Sequence, residues 1–241
     1  MFNHGLSLGV EYIFDTVVSI NDGHVKEVIL SNQTLKTKVV IIATGAEPRR
    51  LGLPNEDRLA SRGISWCAIC DGPIYKGKDV IVIGGGNSAV EEGSYLATLA
   101  NSVVVVQNLA HFTADKKAIE VLEKHQNVKT HFNSIVTEFL VNEDGSLKGV
   151  KIRTNNEEEQ TILADGVFEY VGLKPTTEGF EHLGILGENK CIITNEKMET
   201  NKPGIYAVGD VRDKQIRQVV TATSDGAIAV QNALKYIETW D

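Results

Sequence analysis

Val80-Ile81-Val82-Ile83-Gly84-Gly85-Gly86-Asn87-Ser88-Ala89-Val90-Glu91-Glu92 decides the fold. Four apolar β-branched residues in a row read as a strand buried on both faces. The next six residues fit the form G-x-G-x-x-A. In that form the first glycine permits a tight turn. The second lets the backbone approach a pyrophosphate, and the small third residue lets helix and strand pack closely. Residues Ser88–Ala100 read as the helix that follows. Ala89, Glu92, Gly93 and Leu96 share one face, and Glu91 and Glu92 lie toward the N-terminal end, where the helix dipole favours acids. Strand, glycine turn and helix in this order place the phosphates of a dinucleotide on the helix N-terminus. A bland glycine turn is the competing reading.

Outward from this unit, other short apolar runs end in glycine or a polar turn: Val39–Ala43, Val103–Val106, Gly166–Val171 and Ile205–Val208. They too read as buried parallel strands. Helices are expected at Ala114–His125 and Gly226–Ile237. Strands alternating with helices argue an α/β fold. Two stretches alternate apolar and polar residues instead. These are Val10–Leu30, with Asn21-Asp22-Gly23 at its turn, and Asn133–Thr161, with Glu143-Asp144-Gly145 at its turn. Each reads as a half-exposed hairpin or meander, and each precedes a buried strand. That repeated order predicts two related α/β modules. A length of 241 residues suits one or two domains.

Composition removes several function classes. The formal net charge is −8, the wrong sign for a nucleic-acid binder. No apolar run approaches the roughly 18 residues of a membrane helix. Met1-Phe2-Asn3-His4-Gly5 lacks the pattern of a signal peptide, so a cytoplasmic protein is expected. No G-x-S-x-G hydrolase elbow is present.

The second chemical motif is Cys67-Ala68-Ile69-Cys70-Asp71. Thiols separated by two residues form a disulfide with little backbone change, and such motifs commonly lower one thiol's pKa. Asp71 is placed to move a proton if its surroundings raise its pKa. A zinc half-site is the competing reading, and it needs two further ligands. Trp66 shields the dithiol or belongs to the core. Cys191, alone, reads as a small buried apolar residue. A third motif, Gly204-Ile205-Tyr206-Ala207-Val208-Gly209-Asp210, puts a carboxylate at a strand's C-terminal edge, where open α/β sheets bind ligands. Arg217-Gln218 and the small-residue run Thr221–Ala229 follow it, and Ala43-Thr44-Gly45 is a similar small turn after a strand.

Together and in order, Ile42–Ala46, Cys67–Gly72, Gly84–Glu92, Gly204–Asp210 and Arg217-Gln218 resemble the bacterial-type low-molecular-weight thioredoxin reductases, FAD-dependent pyridine nucleotide-disulfide oxidoreductases. The resemblance runs through nearly the whole chain. It implies two Rossmann-like nucleotide-binding domains of three-layer ββα type, the nicotinamide domain inserted into the FAD domain. The FAD domain would take residues 1–51 and 170–241, and the NAD(P)H domain with the dithiol residues 52–169. Cys70 would lie against the flavin, Cys67 would attack the disulfide of a thioredoxin-like protein, and Asp71 would be the general acid/base. Gly209, Asp210, Arg217 and Gln218 would serve FAD, and Thr44 and Gly45 are further candidate cofactor-binding residues. Gly84, Gly86, Asn87, Ser88 and Ala89 would serve the nicotinamide cofactor. A homodimer is implied, with neither nucleic acid nor membrane as partner.

Two departures from the family pattern stand out. The family's N-terminal strand and glycine loop for the ADP part of FAD do not precede Val10, so an N-terminally truncated chain is expected, short by a βαβ portion on the order of 80 residues. The family's arginines for the 2′-phosphate of NADPH are replaced by Gln107-Asn108-Leu109 and Thr113. That predicts NADH use or a weakened nicotinamide site, with Asn108 or Gln107 bonding a ribose hydroxyl. The rival readings are a non-catalytic fragment or degenerate paralogue that binds a nucleotide without FAD, a ferredoxin-fed flavin disulfide reductase, and a zinc-binding structural module.

Overall fold

A computed structural model describes residues 2–155 and 157–240. They form two compact units, residues 48–173 and residues 1–47 with 174–241. The sequence reading put these boundaries at 51/52 and 169/170.

The inserted unit is built on a five-stranded parallel sheet. Its spatial order is Ile64–Ser65, Gly166–Glu169, Asp79–Ile83, Ser102–Val106 and Val128–His131. Alternation along each strand explains why the sequence is apolar without a break. Val80, Val82, Val103, Val105 and Phe168 point to one side and pack on Ala89, Val90, Leu96 and Leu122 of the helices Asn87–Ala97 and Lys116–Leu122. Ile81, Ile83, Val106 and Val167 point to the other and pack on Val136, Phe139, Val150 and Ile152. Those partners belong to the antiparallel meander Ser134–Val141, Leu147–Thr154 and Glu159–Leu163. Helices, parallel sheet and meander make three layers. Each fully buried Val, Ile or Phe contributes about 1.5–3 kcal/mol, so the sheet is secured from both faces.

The second unit repeats the order on a smaller scale. Val17–Asn21, Lys26–Leu30 and Thr34–Thr37 form an antiparallel meander. Val40–Ile42 then pairs in parallel with Ile205–Ala207. Ile205 and Ala207 face the core of Ile20, Ile42, Phe180 and Ile192. Tyr206 faces Ala229 and Ala233 of the helix Val219–Glu238. The Asn21-Asp22-Gly23 turn is clamped by buried Lys26, whose Nζ donates to the Gly23 carbonyl at 2.6 Å and pairs with Asp22 at 3.2 Å.

Five sequence expectations are corrected. Residues 10–16 form no strand, and the meander begins at Val17. Val10, Tyr12 and Phe14 stay exposed, Phe14 at 93%, so alternation alone does not make a buried strand face there. The last helix starts at Val219 and not at Gly226, because Gln218 and Thr221 close a reciprocal capping box that outweighs the weak helix propensity of Val219, Val220, Thr221 and Thr223. The helices expected at Ser88–Ala100 and Ala114–His125 are shorter, at Asn87–Ala97 and Lys116–Leu122. The strand expected to reach Val171 ends at Glu169.

Candidate functional site

Cys67 and Cys70 form a disulfide. Cys67 is extended and caps the one-turn helix Ala68–Asp71, and its Sγ accepts the Cys70 N–H at 3.2 Å. That amide is aimed where negative charge gathers when Cys67 becomes a thiolate. Cys67 is half-buried and Cys70 exposed. Ser65 Oγ donates to the Asp71 carboxylate at 2.7 Å and accepts the Cys67 N–H at 3.2 Å. One hydroxyl thus ties the acid to the first cysteine.

The start of this turn is tied to the helix after the glycine loop. Glu92 on that helix accepts the Ala68 N–H at 2.6 Å and the Tyr170 hydroxyl at 2.6 Å. Tyr170 Oη also accepts the Ala68 N–H at 3.0 Å. Burial, then the nearby Glu92 charge, pushes the Tyr170 phenol well above its ordinary range, so it remains a donor. Tyr170→Phe is expected to cost about 1–2 kcal/mol in urea unfolding, the usual result of removing one partner from a part-buried charge-assisted bond. An unchanged midpoint would show that Glu92 needs only the amide.

The glycine loop follows its strand as the sequence predicts. Gly84 has φ +127°, and a Cβ there would run into the Tyr170 carbonyl oxygen. A Cβ at Gly85 would run into the Gln107 amide. The loop is braced from the next crossover: Thr113 N–H donates to the Gly85 carbonyl at 2.8 Å, and Asn87 and Asp115 exchange bonds of 3.1 and 2.7 Å. Ala89 is buried, Ser88 and Asn87 are exposed, and Gly86 is half-buried. No side chain caps the helix at Gly86, which leaves its first N–H groups for an anion. One expectation narrows here. Gln107 is 3% exposed, and its amide donates to the His111 carbonyl and accepts the Asn108 N–H. Satisfying the turn backbone turns it away from any ribose, so of the two only Asn108 is exposed.

In the other unit, Gly209 and Asp210 open a short turn beyond Ile205–Ala207. Asp210 Oδ1 is buried without a hydrogen-bond partner. Such an acceptor fits a hydroxyl-rich ligand such as the FAD ribityl chain. Arg217 Nε donates to the Asp210 carbonyl at 3.4 Å, and Gln218 caps the long helix. Thr44 Oγ1 donates to the Thr176 carbonyl at 2.6 Å, and Gly45, at φ +73°, has open space about its α-carbon.

Several residues that shape these sites escaped the sequence reading. Asp225, inside the small-residue run, accepts the Gly209 N–H at 3.0 Å. Ser65, Tyr170 and Glu169 were missed, and Glu92 was placed on its helix face without a partner in the dithiol turn. The one available signal was polarity inside apolar stretches. Burial pushes the Cys191 thiol up, partly opposed by Arg217, as suits an inert core cysteine. Among the described residues no group of three or more His, Cys, Asp or Glu is arranged to hold a metal ion. No helix there is long and apolar enough to cross a membrane.

A family model described as pyridine nucleotide-disulphide oxidoreductase matches residues 3–226. The thioredoxin reductase of Listeria monocytogenes is 42% identical over 240 residues, which is 99% of this chain and 75% of that protein. That of Bacillus subtilis is 41% identical over 242 residues, 99% of this chain and 76% of the relative. The crystal structure of thioredoxin reductase from Streptococcus pyogenes superposes with a TM-score of 0.90 at 39% identity, covering 99% of this chain and 78% of that one. Thioredoxin reductase from Giardia duodenalis gives 0.91 at 27% identity, covering 99% and 79%. With the Cys67–Cys70 disulfide and the glycine-loop helix on one unit, the chain belongs to the pyridine nucleotide-disulphide oxidoreductase family, among its thioredoxin reductases.

Proposed function

We propose that this chain is a thioredoxin-disulfide reductase, taking electrons from a reduced nicotinamide dinucleotide at the Gly84–Ala89 loop and passing them through the Cys67–Cys70 pair to a thioredoxin-like protein. The observation that carries the reading is the Glu92 carboxylate, which ties the dithiol turn to the helix opened by the glycine loop. FAD, when bound, supplies the two-electron link between nicotinamide and disulfide.

The chain's own residues account for the exchange. Once the pair is reduced, the Cys67 thiolate, stabilised by the Cys70 amide, attacks one sulfur of the partner's disulfide. A mixed disulfide forms and the partner's other sulfur leaves as a thiolate. Asp71, held by Ser65 beside Cys70, is placed to deliver its proton. Cys70 then loses its thiol proton to Asp71, its thiolate attacks Cys67 Sγ, and the partner's second sulfur leaves as a thiolate that takes up this proton. The Cys67–Cys70 bond re-forms, and the partner departs with two electrons and two protons gained.

On the flavin side, Gly209, Asp210, Arg217 and Gln218 would hold the cofactor, with Thr44 and Gly45 at a second turn of the same unit. Asn108, Leu109 and Thr113 offer no cation for a 2′-phosphate, which supports NADH as a donor at least as good as NADPH. The reactive C-x-x-C pair suits a reducing, cytoplasmic setting, and a homodimer accords with the family. The test is the chain incubated with FAD, washed, and assayed with thioredoxin and each nicotinamide. The expected result is a flavin band near one per chain and thioredoxin reduction with kcat/KM for NADH no lower than for NADPH. Absent flavin and absent turnover overturn the reading.

A further inference from the structure

Glu169 is a buried acid that the exchange chemistry above does not use. It ends the strand Gly166–Glu169, in register with Ile83 and so level with the opening of the glycine loop. It is 2% exposed. Its Oε2 accepts the indole N–H of Trp66 at 2.9 Å, and Trp66 is the residue before Cys67. Its Oε1 is buried with no donor in reach.

Charged groups face it from the segment that precedes Trp66. One is Arg50, whose guanidinium also lies 3.7 Å from the Trp66 ring centroid. Another is the Glu56 carboxylate, within hydrogen-bonding reach. Glu56 is itself buried, and it accepts three backbone amides: Leu51 at 2.9 Å, Gly52 at 2.7 Å and Leu53 at 3.1 Å. A carboxylate offers hydrogen-bond acceptors only, whereas a protonated carboxyl offers an O–H donor as well. The unmatched Oε1 of Glu169 is satisfied when it carries a proton and donates it to Glu56.

We propose that Glu169 is a positioning residue for the dithiol: sharing one proton with Glu56, it fixes the Trp66 indole by its edge and thereby holds the backbone that carries Cys67. Arg50 holds the same ring by its face. Loss of the shared proton leaves two carboxylates facing each other beside Arg50, and the Trp66–Cys67 segment loosens. Burial, then the Glu56 charge, pushes the Glu169 carboxyl up to about 8, which puts this loosening within reach of ordinary buffers.

The inference rests on Cys67–Cys70 being the redox pair, but its first readout needs neither nicotinamide nor flavin, so its failure is distinct from failure of the reductase assay. The chain has two tryptophans, so a Trp240→Phe background isolates Trp66. In that background Trp66 emission is expected to titrate between pH 6 and 9.5 with a midpoint near 8. Added Glu169→Gln should flatten it, because the amide can donate to Glu56 and accept from Trp66 at every pH. Reduction of the disulfide by dithiothreitol, taken as the rate relative to Glu169→Gln, should be near unity at pH 6.5 and rise at least threefold by pH 9. Flat emission in the parent, or the same titration in Glu169→Gln, overturns the proposal. Titrating emission with a constant rate ratio overturns it too, because Glu169 would then hold the indole without positioning the dithiol.

Discussion

Cys70→Ser lowers disulfide-reductase turnover by on the order of 10³-fold or more, and it leaves a specific product behind. In this variant the Cys67 thiolate still finds the N–H of residue 70, the donor it has in the parent. It still attacks the partner, but nothing resolves the mixed disulfide, and one turnover ends in a covalent adduct. Intact-mass measurement after mixing with oxidised thioredoxin should show one adduct per chain, mapped to Cys67. The fold should survive. The pair is separated by three positions, and closing so short a loop contributes about 2 kcal/mol in the chain-entropy model. The parent meets the same loss each time its pair is reduced. Cys67→Ser should be equally inactive with no adduct at position 67. Continued turnover by Cys70→Ser, or an adduct at another site, would assign the exchange to different sulfur chemistry.

What could be read from the sequence, and what could not, follows from how far apart the partners lie. Val80–Ile83 and Val103–Val106 are legible because both faces of their sheet are covered, so every position is apolar. The meander 134–163 is legible because its apolar positions alternate. Val10–Phe14 carries the same alternation and forms no strand, since a pattern names a face and not its partner. The start of the last helix was hidden because Val219, Val220, Thr221 and Thr223 have strand-like propensity, while the cap that overrides it depends on the geometry of Gln218 and Thr221. The dithiol and the glycine loop are local motifs and stand out. The groups that orient them do not. Glu92 meets Ala68 across 24 positions, Tyr170 meets it across 102, and Trp66 meets Glu169 across 103. No local period encodes such pairs. Gln107 shows the converse. A residue in the right place for a ligand can be spent on its own turn.

Asp225→Ala is expected to destabilise the unit formed by residues 1–47 and 174–241 by about 3–5 kcal/mol, the range for removing one partner of a buried ion cluster. Asp225 is 7% exposed. Its Oδ2 meets Arg212 Nη1 at 2.9 Å, Lys214 Nζ at 2.8 Å and the Gly209 N–H at 3.0 Å. Alanine leaves two largely buried cations uncompensated and an amide without its acceptor. Asp225→Asn keeps an acceptor and loses the charge, so its cost should be intermediate. Dependence on pH separates charge from packing. Burial alone would raise this carboxyl, but Lys214, Arg212 and the Gly209 amide together outweigh it and hold the group below its ordinary value of 3.8. A depressed folded pKa means stability that is present above pH 3.8 and lost as pH falls through the lower, folded value. The difference in urea-unfolding free energy between parent and Asp225→Asn should therefore be full at pH 7 and shrink below pH 4. A difference independent of pH would mean that shape, and not charge, is what Asp225 supplies. The same substitution reaches the flavin side through one atom. The Gly209 amide that Asp225 holds sits one residue from Asp210, whose unpartnered Oδ1 is the acceptor offered to the cofactor. Asp225→Asn should therefore weaken FAD retention even at pH 7, where the unit remains folded, because the turn that aims that oxygen has lost its charged anchor.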